Sequence, residues 1–215
     1  MVSSTGPQYE PDYHFKAAAR LHQSAYRANV LKVDFDKYGN HLTELASRAL
    51  LNYYDGLGVW EALRQRYPTY SKSRDADMLR SEHIPFNLFA PLIGKPDLAN
   101  GLLYRILGVE LFPPYQIELE WAPKPAEKYL GDRTSFDTYI KGVDDHGRVV
   151  GVGIEVKYTE HGYRLGPSEA LKVKNPESTY WTTTRESGVF TNGGCKLLAT
   201  DDLTHVDKWQ NDDRA

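Results

Sequence analysis

The sequence predicts a mixed α/β fold of the α+β kind, with helices first, then a strand meander, then a last helix. Three observations carry that prediction. Apolar residues recur every three to four positions from about Tyr13 to Gly108. Beyond Gly108 the period drops to two. The turn-forming run Asp144-Asp145-His146-Gly147 separates two strand-like segments.

Residues 1–12 are polar, carry Pro7 and Pro11, and are expected to form a flexible arm. The rest, 13–215, is expected to be one domain, with a helical extension over 13–75 and a core over 76–215. A first helix spans Tyr13 to Ala28, with Ala18, Leu21 and Ala25 on one face. Asn40 is expected to cap a second helix over 41–54, whose stripe is Leu42, Leu45, Ala46, Ala49, Leu50 and Tyr53. Gly56-Leu57-Gly58 breaks that run, and a short helix follows over 59–67, before Pro68.

The polar stretch 70–82 is expected as a loop. In the next segment Phe86, Phe89 and Ile93 share a helical stripe; Pro85 suits the first turn and Pro91 implies a kink or an early end. Residues 98–107 form another short helix, stopped by Gly108. Strands follow near 116–123, 135–145 and 148–160, the last two as a hairpin. Residues 161–215 are expected to be rich in loops, with one weakly helical stretch from Leu203 to Arg214.

Composition narrows the class. The 215 residues are 40% hydrophobic and 26% charged, which suits a chain with a real core and excludes wholesale disorder. A net charge of −3 excludes an overall basic coat but leaves room for local basic grooves. With Cys195 as the one cysteine, an intramolecular disulfide and zinc sites built on several cysteines are excluded. No apolar run nears the roughly 20 residues needed to span a bilayer, and the N-terminus lacks the basic and apolar regions of a secretory signal. A cytoplasmic protein with no membrane partner is the expectation. The phosphate-cradling, dinucleotide and nucleophile-elbow glycine motifs are absent.

The strand over 148–158 carries the chemistry. Its alternation puts Val150, Val152, Ile154, Val156 and Tyr158 on one apolar face, expected to be buried. Gly151, Gly153, Glu155 and Lys157 share the other face, where the glycines are expected to line an open cleft. A hairpin centred on His146 sets Asp137 across from Glu155. Two carboxylates so placed repel unless a cation lies between them, and hard oxygen ligands suit Mg²⁺ or Mn²⁺. Glu-X-Lys is also the ordinary alternation of a solvated strand face. Lys124, Lys128, Arg133, Lys141 and Arg148 could track a phosphate backbone or form a solvated face. Tyr158, Tyr163, Tyr180 and Trp181 could stack on bases, although packing is the plainer role. His41 and Glu44, three apart, are expected at the surface.

Asp137 followed by Glu155-Val156-Lys157 at the end of an apolar strand resembles the PD-(D/E)XK nuclease superfamily. The segments ARLHQSAYR (19–27), LRSEHIPFNLFAPL (79–92) and IEVKYTE (154–160) resemble a bacterial family within it. Phe136 stands before Asp137 where the motif name has proline.

The resemblance implies a restriction-endonuclease-like αβββαβ core, its first helix near 81–93 and its strands near 115–121, 135–144 and 148–158. It also implies a nuclease that hydrolyses phosphodiester bonds, with DNA as the expected substrate and Mg²⁺ or Mn²⁺ as cofactor. Asp137 and Glu155 would be metal ligands and Lys157 a catalytic cation. Glu82, on the first helix, matches the position of a further acidic residue near the metal; its other role is a helix N-terminal acid favoured by the macrodipole. His83 is expected to pack or cap.

The shared core needs a second helix and a fourth strand after the motif. The helix would be Leu203–Arg214, where Gln210 and Asn211 partly match the relatives; the strand has no clear candidate, so a truncated core is expected. The alternative function is a nuclease-like fold that binds nucleic acid without cutting it, or an inactive truncated form. Oligomeric state is left open.

Overall fold

A computed structural model of the chain describes residues 4–108, 110–129, 131, 134–160 and 166–187. It divides into two compact units, one of residues 1–121 and 136–159, the other of 122–135 and 160–215. The expected helix over 203–214, with Gln210 and Asn211, lies outside the described residues, as do Cys195, Arg133 and Tyr163. So does the stretch 190–200, where a fourth strand would fall. Among the described residues no helix is long and apolar enough to cross a membrane.

The first unit opens with α1 (His14–Tyr26), which continues as a π-helical turn over Arg27–Leu31. Three of its polar residues, Arg20, Ser24 and Arg27, are buried. Buried charges need partners, and these have them. Arg20 donates to Asp12 and Asn40, and Arg27 donates to the carbonyls of Ser4, Val33 and Gly39. Residues 4–12, expected as a flexible arm, are therefore pinned to the helix, with a further bond from Gly39 N to Pro7 O at 2.8 Å. The approach is so close that a Cβ on Gly39 would sit 1.8 Å from the carbonyl oxygen of Thr5.

The helix expected over 41–54 is cut down to α2 (Glu44–Arg48). Its cap is Thr43, whose hydroxyl accepts from Ala46 N at 3.3 Å. Asn40 is not the cap. It is fully buried and donates to Asp77 at 2.6 Å, while His41 and Leu42 bridge to Asp77 and Phe35. Leu50 takes a positive φ of 60°, which ends the helix there. Leu42, Ala46 and Tyr53 are buried as expected, but Leu45 is 83% exposed. α3 (Val59–Arg66) follows the glycine break. The expected loop contains one helical turn, α4 (Lys72–Asp75), folded around the buried Asp75 carboxylate, which accepts from Ser71 N and Arg74.

α5 (His83–Phe89) has Pro85 in its first turn and gives way at Pro91 to a 3₁₀ turn over Ala90–Leu92. α6 (Pro96–Leu107) stops at Gly108, whose φ is 64°. These helices supply one apolar face. Phe89, Leu92 and Ala99 pack with Ile117, Leu119, Ile154 and Val156, and Leu103 and Leu111 with Ile140, Val150 and Val152.

The other layer is an antiparallel sheet of β1 (Phe112–Trp121), β2 (Phe136–Val143) and β3 (Val149–Ile154), in that spatial order. The register of β1 shifts between Phe112 and Gln116, across Pro113 and Pro114, which have no N–H to donate. Strand β3 faces as expected. Val150, Val152, Ile154 and Val156 turn to the helices, although they are half-buried rather than fully buried.

In the second unit the expected loop contains two helices, α7 (Pro167–Lys174) and α8 (Thr179–Ser187). Trp181 Nε1 donates to Val173 O at 2.6 Å and Lys172 lies over the Tyr180 ring, so both rings serve packing between α7 and α8. The signal missed there was Pro167 at a helix start, with Glu169 reaching back to Gly166 N at 3.0 Å.

Candidate active site

The hairpin of β2 and β3 is closed by one carboxylate. Asp144 accepts from the backbone N–H groups of His146 and Arg148, at 2.9 and 2.8 Å, and from Arg148 Nε at 2.8 Å. Arg148 is thus committed to the turn. From that turn the register runs through Val143–Val149, Ile140–Val152 and Thr138–Ile154. One step further, Asp137 stands across from Glu155, the first residue past the end of β3.

The Asp137 carboxylate bends across the strand end and accepts from Val156 N at 2.5 Å. This bond fixes its orientation and marks where the ladder stops. Burial raises the Asp137 carboxyl above its ordinary pKa. The negative charges of Glu155 and Glu82 add to the rise, while the Val156 N–H and the Lys157 ammonium oppose it. Asp137 therefore feels both other carboxylates and the lysine.

Glu155 and Lys157 project from the same side of the chain and form an ion pair, both side chains at least half exposed. Glu82 precedes α5 but caps no backbone N–H; its carboxylate is paired with Arg80. Among the described residues no three His, Cys, Asp or Glu side chains group to hold a metal. Glu82 thus reaches Asp137 through its charge, not as part of a three-carboxylate cluster. His83 is a packing residue: it is buried, its Nε2 lies 2.7 Å from the carbonyl oxygen of Arg74, its ring meets Tyr53 edge-on, and burial lowers its pKa. His41 does not pair with Glu44, which is bound to Arg48.

The donor set fits a hard divalent cation. Asp137 and Glu155 bring two carboxylates to one end of the hairpin with surplus negative charge around Asp137, and such ions keep several waters and take remaining ligands from a substrate phosphate.

The expectation of an open cleft over the glycines fails. Tyr139 lies over Gly151 and the Phe136 ring over Gly153, so close that an added Cβ would lie 2.2 Å from the Tyr139 hydroxyl and 2.8 Å from the Phe136 ring. Trp121 stacks on Tyr139 with ring centroids 4.1 Å apart. The sequence pattern missed this trio because Phe136 and Trp121 stand at strand ends, where alternation breaks down. Glu120, just before Trp121, has a φ of 53°. Tyr158 turns away from this face, accepts from Gln23 at 3.2 Å and borders a cavity of about 590 Å³ with Tyr26, Tyr53, Trp60 and His83.

The residues behind the segment resemblance are mostly architectural. Arg20, Ser24 and Arg27 of the first segment, and His83, Phe86 and Phe89 of the second, are buried. No curated protein and no solved structure matches the chain. The family model of the PD-(D/E)XK nuclease superfamily matches residues 10–206. With that match over most of its length, and with an Asp and a Glu-X-Lys meeting at one end of a hairpin, the chain belongs to the PD-(D/E)XK nuclease superfamily.

Proposed function

We propose that this protein is a divalent-metal-dependent nuclease that hydrolyses phosphodiester bonds in nucleic acid, with DNA as its substrate. The observation that carries the reading is the placement of Asp137 opposite Glu155, with Lys157 ion-paired beside them.

In this reading Asp137 and Glu155 hold Mg²⁺ or Mn²⁺, and Glu82 adds negative charge from outside. The bound ion supplies Lewis-acid stabilisation of charge on the scissile phosphate. Val156 N–H holds one Asp137 oxygen and leaves the other for the cation. Lys157 exchanges its Glu155 partner for a phosphate oxygen when substrate arrives. A point charge at a transferring phosphate is worth most where it needs little reorganisation, and the exchange of partner at a solvent-exposed ion pair keeps that cost small. Lys141, exposed on the same sheet face, adds a second phosphate contact.

The test is incubation of the purified chain with plasmid DNA, linear DNA and RNA in Mg²⁺, Mn²⁺ or EDTA. Cleavage that needs the metal and is lost in Asp137→Asn supports the reading. Absence of cleavage on all three substrates, with nucleic-acid binding retained, replaces it with a binding protein of nuclease fold.

A further inference from the structure

The geometry points to a stacking platform for unpaired nucleobases, formed by Trp121, Tyr139 and Phe136 beside the candidate carboxylates. The inference rests on the nuclease reading and specifies its substrate as strand with unstacked bases.

The three rings are nearly parallel. Trp121 and Tyr139 are tilted by 15°, Phe136 and Tyr139 by 18°, and Trp121 and Phe136 by 10° with centroids 6.1 Å apart. Tyr139 lies over Gly151 and Phe136 over Gly153, where no side chain holds them off, and Trp121 stacks on Tyr139. None of the three belongs to a buried apolar cluster among the described residues, and Phe136 is 43% exposed. Two rings laid over glycines and a third stacked on them, with Phe136 exposed and Trp121 and Tyr139 half-buried, are poorly explained as core. Aromatic rings lying on a sheet surface are a common way to hold single-stranded nucleic acid, since every base has a face to stack.

Position ties the platform to the chemistry. Phe136 is the residue before Asp137, and Tyr139 shares the sheet face of Asp137 two residues along, about 7 Å away. Lys141 is next on that row and is exposed; the acidic neighbour on the face, Glu118, accepts a hydrogen bond from Gln116. A base stacked on the rings keeps its own phosphate within a nucleotide's reach of Asp137 and Lys141. In an intact duplex the base faces are already stacked on one another and cannot reach the platform.

The test uses fluorescence anisotropy in EDTA, so that nothing is cut, with three labelled probes of equal length: oligodeoxythymidylate, the same backbone without bases, and a duplex. The platform predicts that oligodeoxythymidylate binds at least about tenfold tighter than the base-free strand. Trp121→Ala and Phe136→Ala should each remove most of that difference, and Trp121→Phe should keep it. Phe136→Ala, at an exposed position, stands in if Trp121→Ala fails to fold. Equal binding of the first two probes by wild type overturns the proposal, as does an unchanged preference in the alanine variants. Cleavage in Mg²⁺, measured alongside, separates the two readings. Cleavage without base-dependent binding removes the platform and leaves the nuclease. Base-dependent binding without cleavage keeps the platform and removes the nuclease.

Discussion

The helical block around α1 and the β2–β3 hairpin handle charge in opposite ways. In the block, Arg27 is 0% exposed and each donor that faces Ser4, Val33 and Gly39 ends on a backbone carbonyl. In the hairpin, Glu155 and Lys157 answer one another at the surface. The first arrangement fixes a shape, because a buried guanidinium that loses its carbonyls has no water to turn to. The second leaves ions ready to change partners, because the solvent screens each exchange. A charged residue in this chain reads as architecture or as chemistry according to which of these it resembles.

The sharpest way to break the comparison is Arg27→Ala. It takes a donor from the buried Gly39 carbonyl and from those of Val33 and Ser4 and empties the space of a fully buried side chain, and we expect a loss of about 3–5 kcal/mol of unfolding free energy in urea titration. A loss under about 1 kcal/mol would mean that the block does not depend on its buried arginine. The opposite end is Lys157→Ala. Cleavage should fall by about 10²–10³ at fixed Mg²⁺, while the melting temperature stays close to wild type, since an exposed ion pair contributes little. If the variant cuts as fast as wild type, Lys157 is a solvated strand residue.

Val152→Asp probes the border between the two regions. Its side chain turns toward the cluster of Leu103, Leu111 and Ile140 but is only half covered. The charge should cost about 1–3 kcal/mol in the same titration, less than Arg27→Ala, and unchanged stability would mean that the strand faces the other way.

The smallest effect is on pH. Burial lowers the His41 pKa, with Asp77 partly opposing. The unfolded chain then binds the proton more tightly than the folded one, so stability is full above about pH 6.5 and declines as pH falls below it. His41→Gln should flatten the pH dependence of the unfolding midpoint between about pH 7 and 5; an unaltered slope would assign that dependence to other groups.

The hairpin was legible because its signals are local: a period of two, a turn-forming run and the equal separation of Asp137 and Glu155 from His146 set those two residues across from one another. The second helix was not. Asn40 looks like a cap by spacing, yet it bonds Arg20 and Asp77, partners 20 and 37 residues away that no local pattern contains. Alternation within β3 alone presents its glycines as an opening. The rings of Phe136 and Tyr139 that fill the space come from its neighbour.

Asp144 has a further consequence, for the order in which the site forms. Its carboxylate ties three donors within four residues, so the turn can close without help from the rest of the chain. Hairpins zip from such turns in about 1–10 μs. The opposed carboxylates would then meet early, in a nascent chain segment of fewer than two dozen residues, before α1 has found its distant partners. Because side chains alternate, a slip of one residue in that zipper would send Glu155 to the core face and Val156 to the solvent. The Asp144 turn thus acts as a ruler for the pairing of Asp137 with Glu155, set at the far end of the hairpin from the residues it aligns.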